Sequence, residues 1–315
     1  MLAVAKLHPF YRQALEAHYT VHDRSHELDP ASFEKLAPRL VGVAATGESL
    51  VPASLLQRLP AARVVSVFGV GYDGVDVAAA KTCGIPVTHT PGVLTEDVAD
   101  LAIALVLSVA RRLAQADGFV RAGRWLEGPI ALGRKVSGAR MGIVGMGRIG
   151  QAIAQRAQAF GMSIAYTARS AKPALPHPFF PDPASLAAAS DFLVVITPGG
   201  AGTRHLIDAK VLAALGPHGF LINVARGSVV DEGALIEALR EGGIAGAGLD
   251  VFADEPRVPQ ALLDMPQVVL TPHMASATTQ TRQAMADLAF ANMQAGIEGR
   301  PLLTPVPEWT AQVAG

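Results

Sequence analysis

Residues 140–150 read RMGIVGMGRIG, and the organisation of the chain follows outward from them. Gly145, Gly147 and Gly150 have the G-x-G-x-x-G spacing. Alone that spacing is weak, because glycine-rich turns are common. Here a strand-like run, MGIVG, precedes it, and Ile149, Ile153, Ala157 and Phe160 follow at helical spacing. In a strand–turn–helix setting each glycine has a physical task. Gly145 permits the tight turn, Gly147 lets backbone amides approach a pyrophosphate, and Gly150 lets the helix pack closely on the strand. The helix start adds free N–H groups and a positive dipole end. Gly145, Met146, Gly147, Arg148, Ile149 and Gly150 are therefore the candidate phosphate-binding turn. The plainer alternative is an ordinary strand–turn–helix junction.

Short apolar runs continue on both sides, at 2–5, 41–45, 64–67, 85–88, 140–144, 163–166, 192–196, 220–224, 247–251 and 268–271, separated by Ala-rich, helix-prone stretches. Such runs read as parallel strands buried on both faces, which is an α/β architecture of doubly wound sheets. Four fall before about residue 91 and six from residue 140 onward. Between them the pattern predicts a long helix from 96 to about 116 and an irregular Gly- and Arg-rich stretch over 118–138. A last helical pattern over about 278–298 is expected to return to the first block. The first domain is then discontinuous, 1–96 with 286–315, and the second spans 97–285. A chain of 315 residues fits two domains, because single cores stop growing at about 250–300 residues.

The second strand of the later block ends SIAYTARSAK. Sites for NAD carry Asp or Glu about 20 residues past the glycines, bonding the ribose 2′-OH. No acidic residue occurs between Gly150 and Asp182; Ala168, Arg169 and Ser170 stand there instead, with Lys172 close behind. Guanidinium and hydroxyl groups bind a 2′-phosphate that a carboxylate repels. NADPH is therefore expected to be preferred, with NADH possible. A solvated basic turn is the bland alternative.

Three further segments end strands with reactive types: INVARGSVVDEGAL (222–235), LDVFADEP (249–256) and VVLTPHMASAT (268–278). Ligands of open parallel sheets sit beyond the strands' carboxyl ends, so Arg226, Glu255 and His273 can share a cleft. Reducing a 2-keto acid requires a hydride on the carbonyl carbon and a proton on its oxygen. His273 suits proton donation. Glu255 can orient and support the imidazolium. Arg226 can bind a carboxylate and polarise the carbonyl. Each residue singly has a duller reading: a surface charge, a loop acid, a satisfied buried histidine. Their joint appearance downstream of a dinucleotide motif favours chemistry.

Composition narrows the alternatives. A formal net charge of -1 gives no polyanion footprint, so no nucleic-acid partner is expected. Cys83 is the only cysteine, which favours a reducing compartment. No signal peptide is expected in the first residues. The most apolar helical stretch, LAIALVLSVA (101–110), is far short of the ~20 residues a membrane span requires. A cytoplasmic protein with no membrane partner is expected. The remaining eight histidines show no HExxH-like spacing, so no metal site is expected.

Taken together, VGYDGVD (70–76), TPGVLTEDVADLAIAL (90–105), GMGRIG, INVARG, LDVF–DEP and TPH resemble the D-isomer-specific 2-hydroxyacid dehydrogenases across nearly the whole chain, with the glyoxylate/hydroxypyruvate reductase branch nearest. The resemblance implies a flavodoxin-like substrate domain interrupted by a Rossmann NAD(P)-binding domain, and a homodimer joined mainly through the latter. It implies the roles just given for Arg226, Glu255 and His273. It also implies that backbone amides at Val70–Gly71 bind the substrate carboxylate. Asp250 and the Ala225 carbonyl would hold the nicotinamide carboxamide, and Pro198 and Thr203 would line the cofactor cleft. Leu50, in the 46–51 loop, would cover the substrate side chain, and Trp125 would reach the partner's active site. His89 departs from the family pattern, where Asn is usual before TPG, and Met274 and Ala275 depart after the histidine. The expected activity is NADPH-dependent reduction of glyoxylate or hydroxypyruvate. A broader 2-ketoacid reductase, a phenylpyruvate-type reductase and a dinucleotide-sensing binding protein on the same fold stay open.

Overall fold

The computed structural model describes residues 1–310. Residues 311–315, which the sequence reading assigns to the first domain, lie outside the described residues. The chain divides into two compact units: Met1–Leu94 with the chain from Ser276 onward, and Thr95–Ala275.

The first unit holds five parallel strands: β1 (Leu2–Ala3), β2 (His22–Asp23), β3 (Val43–Thr46), β4 (Val65–Phe68) and β5 (Val87–Thr88). Their spatial order is β2-β1-β3-β4-β5, the flavodoxin-like arrangement. The sequence predicts four of them. It misses β2, an edge strand of two polar residues with no apolar run to mark it. The helix Thr279–Glu298 packs on β4 and on the helix Pro9–Glu16. Close approach is written into its residues. A Cβ on Gly296 would stand 2.5 Å from the Val64 side chain, and the buried Ser66 hydroxyl donates to the Ala289 carbonyl at 2.8 Å. The helix begins at a Thr278 cap and ends on Gly299 in the left-handed region.

The second unit holds β6 (Arg140–Val144), β7 (Ser163–Thr167), β8 (Phe192–Val195), β9 (Phe220–Asn223), β10 (Gly246–Leu249) and β11 (Val268–Leu270). All pairings are parallel, in the order β11-β10-β9-β8-β6-β7. Outside β7, Phe179 makes a single parallel bridge to Tyr166. With that bridge counted as a vestigial third strand, the order becomes that of a dinucleotide-binding sheet plus one further strand. Connections reverse direction between β6 and β8, so a crevice opens beyond their carboxyl ends.

One helix departs from expectation. The apolar stretch forms the helix Thr95–Arg111, which packs on β9 and β10 and on the helix Arg148–Ala159. Arg156 fixes that last contact with bonds of 2.6 Å to both Glu96 and Asp100. Instead of running on to about residue 116, the chain turns at Arg112, which lies at φ 56°, and a second helix, Leu113–Arg121, begins. The Ala110 carbonyl accepts the Arg134 amide at 2.7 Å rather than the next turn of its own helix, and nothing in Leu113–Arg121 is buried. The helix continues into the stretch expected to be irregular. Beyond it only the short turn Arg124–Glu127 is regular before residue 138. Among the described residues no helix is long and apolar enough to cross a membrane.

Candidate active site

The glycine turn lies at the reversal point of the second sheet. Gly145 sits at φ 108°, and a Cβ there would stand 2.8 Å from the Ile196 carbonyl oxygen. Only glycine lets β6 and the loop after β8 come that close. Gly150 backs onto Gly145, with a virtual Cβ 2.2 Å from its carbonyl oxygen, so helix and strand touch through bare backbone. Gly147 differs from both. Its φ of −78° suits any residue, and a Cβ there would meet nothing within 4 Å. Nothing among the described residues requires glycine at 147, and its open face leaves room for a group approaching from outside. The helix Arg148–Ala159 starts there with no side-chain cap, leaving its first N–H groups to such a group. Met146 is buried beneath the turn, Arg148 is exposed and Ile149 is half-buried. These features fit a dinucleotide pyrophosphate.

On one bank of the crevice the Thr203 hydroxyl donates to the Pro198 carbonyl at 2.8 Å, closing the loop after β8. On the other, the Gly145 amide donates to Thr167, the last residue of β7. Ala168, Arg169 and Ser170 follow directly. Arg169 and Ser170 are exposed, and Arg169 makes no ion pair among the described residues. The loop is held from below by the Lys172 amide, which donates to the Tyr166 hydroxyl at 2.7 Å.

Three adjacent strands carry the reactive side chains. Arg226 follows β9, Glu255 follows β10 and His273 follows β11. The His273 Nδ1 and a Glu255 carboxylate oxygen are 2.7 Å apart. The other Glu255 oxygen accepts the Phe252 amide at 3.0 Å. Both side chains are partly exposed, 32% and 22%, so the pair is reachable from solvent while held on its protein side. His273 has φ 48°, a left-handed conformation costly for a residue with a Cβ. Asp250 holds it there. The Asp250 carbonyl accepts the His273 amide at 2.8 Å. Its carboxylate accepts the Met274 amide at 2.8 Å, the Ala275 amide at 2.9 Å and the Thr271 hydroxyl at 2.7 Å. Asp250 is fully buried, and burial pushes its carboxyl above the usual range against the pull of those bonds.

Arg226 is tied to the same cluster through backbone. A Cβ on Gly227 would lie 1.8 Å from the Phe252 carbonyl oxygen and 2.5 Å from the Ala253 nitrogen. The Arg226 turn therefore rests directly on the loop that presents Glu255. Buried Asn223 shapes the turn, donating to the Arg226 carbonyl and accepting the Ala225 amide, both at 3.1 Å. Glu232 accepts the Ala253 amide at 3.1 Å. The Ala225 carbonyl accepts from the Arg226 guanidinium at 2.7 Å. Sequence reasoning passed over Gly227, Asn223 and Glu232. Asn223 alone had a readable signal, a polar residue closing a wholly apolar strand.

In the first unit, Val70 and Gly71 form a half-buried turn after β4. Their two amides donate to no acceptor among the described residues. Consecutive free N–H groups make a concavity suited to an anion. Leu50 is 76% exposed on a loop closed by the Thr46 amide donating to the Ser49 hydroxyl at 2.7 Å. Trp125 is 70% exposed on the Arg124–Glu127 turn and makes no hydrogen bond or ring contact with Arg226, Glu255 or His273.

The family model described as "D-isomer specific 2-hydroxyacid dehydrogenase, NAD binding domain" matches residues 103–275. The chain belongs to the D-isomer specific 2-hydroxyacid dehydrogenase family. It is 49% identical over 267 residues to a glyoxylate/hydroxypyruvate reductase A of Arabidopsis thaliana, covering 85% of this chain and 84% of that protein. A hydroxyphenylpyruvate reductase of Plectranthus scutellarioides is 50% identical over 254 residues, 81% of each. Among solved structures, an NADPH-dependent glyoxylate/hydroxypyruvate reductase from Sinorhizobium meliloti, in complex with NADP and malonate, superposes with a TM-score of 0.91 at 46% identity, covering 98% of this chain and 96% of that one. The chain is thus an NAD(P)-dependent oxidoreductase of the 2-hydroxyacid dehydrogenase type.

Proposed function

We propose that this enzyme reduces small 2-keto acids, glyoxylate and hydroxypyruvate foremost, to 2-hydroxy acids of the D configuration, using NADPH. The observation that carries the proposal is the His273–Glu255 pair at 2.7 Å, after the two strands that lie successively outward from the one that bears Arg226, in the sheet that also bears the glycine turn. When bound, the reduced nicotinamide supplies the hydride. The remaining work falls to the chain's own groups. With Nδ1–H given to Glu255, the second proton of the imidazolium sits on Nε2, and this is the proton passed to the substrate carbonyl oxygen. Glu255 stabilises the charged ring before transfer and fixes its tautomer after it. Arg226 binds the substrate carboxylate and sets positive charge beside the carbonyl, where negative charge develops. The free amides of Val70 and Gly71 take up carboxylate oxygens, and Leu50 covers the substrate side chain.

Gly145–Gly150 and the Arg148 helix start hold the pyrophosphate, and Arg169 and Ser170, after Ala168, hold the 2′-phosphate. Pro198 and Thr203 flank the cofactor, and the Ala225 carbonyl and Asp250 sit on its nicotinamide side. NADP in the similar Sinorhizobium meliloti reductase supports this choice of cofactor. We further propose a substrate domain of residues 1–96 and 286–315, a nucleotide domain of 97–285, a cytoplasmic location and a homodimer in which Trp125 reaches the partner. The likeness to a hydroxyphenylpyruvate reductase gives a second reading specific support: reduction of an arylpyruvate. Initial rates with glyoxylate, hydroxypyruvate and hydroxyphenylpyruvate, each with NADPH and with NADH, separate the two. Higher kcat/KM for the small acids with NADPH upholds the proposal. Higher kcat/KM for the arylpyruvate transfers it to the second reading, and no turnover of any of them removes both.

A further inference from the structure

His89 stands half-buried after β5. Its main chain is pinned: its amide donates to Thr304 at 3.1 Å and its carbonyl accepts the Thr304 hydroxyl at 2.6 Å. Thr304 is in turn held by buried Asn292. From this anchor the imidazole Nδ1 reaches the Val70 carbonyl oxygen at 2.8 Å. A carbonyl can only accept, so Nδ1 carries the proton. The Tyr72 ring stands edge-on to the imidazole, 5.2 Å between centroids, and fixes its plane.

The bonded carbonyl belongs to the peptide whose other end is the Gly71 N–H. That bond is trans, so carbonyl and N–H point to opposite sides of its plane. Holding the Val70 carbonyl towards His89 turns the Gly71 N–H away from it, to the open side of the turn. Such a hold is needed here. Val70 lies between Gly69 and Gly71, and a peptide followed by glycine flips readily between two turn conformations, reversing its N–H. Thr90 fixes the near end of the segment, accepting the Gly69 amide at 3.1 Å on its hydroxyl and donating its own amide to the Gly69 carbonyl at 2.8 Å. Among the described residues the Val70–Gly71 plane itself has only His89.

We propose that His89 is a positioning residue for carboxylate recognition, its Nδ1–H locking the Val70–Gly71 peptide so that the Gly71 amide is presented to the substrate. This rests on the reading that the turn receives a 2-keto acid carboxylate. Asparagine can do the same work, since its Nδ2, like the histidine Nδ1, is bonded to Cγ.

Three variants of the full chain test the idea, each assayed with glyoxylate at saturating NADPH after its melting temperature is matched to wild type. His89→Ala and His89→Phe both lose the donor, and phenylalanine keeps the ring volume against Tyr72. In both, KM for glyoxylate should rise about three- to tenfold, the worth of one such hydrogen bond, with a smaller change in kcat and none in KM for NADPH. His89→Asn should stay within about twofold of wild-type KM. If His89→Phe keeps wild-type KM, the ring acts only by packing and the proposal is overturned. An asparagine variant as impaired as the alanine one overturns it equally. Were the wild-type enzyme to turn over no 2-keto acid, the underlying reading would fail, whatever the variants do.

Discussion

Replacing Gly227 by alanine isolates the contact that joins two of the three reactive loops. The added Cβ would lie 1.8 Å from the Phe252 carbonyl oxygen and 1.9 Å from its carbon. Ordinary carbon–oxygen contacts are about 3.3 Å or longer, so the Arg226 and Glu255 loops must part by about 1.5 Å. Both partners are backbone, so no side-chain rotation relieves the clash. Overpacking of this kind costs about 1–3 kcal/mol of stability, and displacing a catalytic group by about 1 Å costs about a hundredfold in rate. The turn after β6, proposed to receive the cofactor, is on another strand. Gly227→Ala should therefore lose about a hundredfold in kcat/KM for glyoxylate, melt several degrees lower and still bind NADPH, as read by nicotinamide fluorescence. A variant whose kcat/KM stays within about threefold of wild type would refute the claim that backbone contact at Gly227 sets the Arg226–Glu255 spacing.

Gly147→Ala is the counterpart, because its Cβ meets nothing: stability should be unchanged or slightly higher, and NADPH affinity should fall about tenfold or more, whereas unaltered affinity would deny the pyrophosphate a seat there. Arg169→Ala should raise KM for NADPH about tenfold or more and leave NADH within about twofold, as fits loss of a charge-assisted bond to the 2′-phosphate; equal losses with both cofactors would contradict that role. The Arg140 guanidinium holds the Asp191 carboxyl below the usual carboxylate range. A lowered folded value means stabilisation that is complete above the unfolded value, about 3.9, and is lost as pH falls through the folded one. The melting-temperature gap between wild type and Asp191→Asn, a small one for a surface pair of about 1 kcal/mol or less, should therefore close in acid, and a gap independent of pH would contradict the assignment.

Much of this molecule was legible because its chemistry lies at strand ends. Parallel strands buried on both faces must be apolar throughout, so FLVV at 192–195 and FLIN at 220–223 announce themselves, and the residues just past them are the ones a ligand meets. That reasoning singles out Arg226, Glu255 and His273 as the candidates. What stayed hidden depends on long-range contact. Nothing local marks His22–Asp23 as a strand, since pairing with β1 alone makes it one. The turn at Arg112 depends on Arg134 capturing the Ala110 carbonyl, 24 residues away in sequence. In the sequence Gly227 is like any glycine after an arginine; only the Phe252 backbone packed against it sets it apart. His89 was visible only as a departure from the family pattern, and its bond to Val70 spans 19 residues.

In the mechanism proposed, a carboxylate-supported His273 delivers the proton to the substrate oxygen. Single-turnover oxidation of bound NADPH by saturating glyoxylate tests it most directly, comparing wild type with His273→Ala. The rate should fall by about 10²–10⁴-fold, with NADPH binding intact. A variant that oxidises NADPH at close to the wild-type rate would place the acid elsewhere.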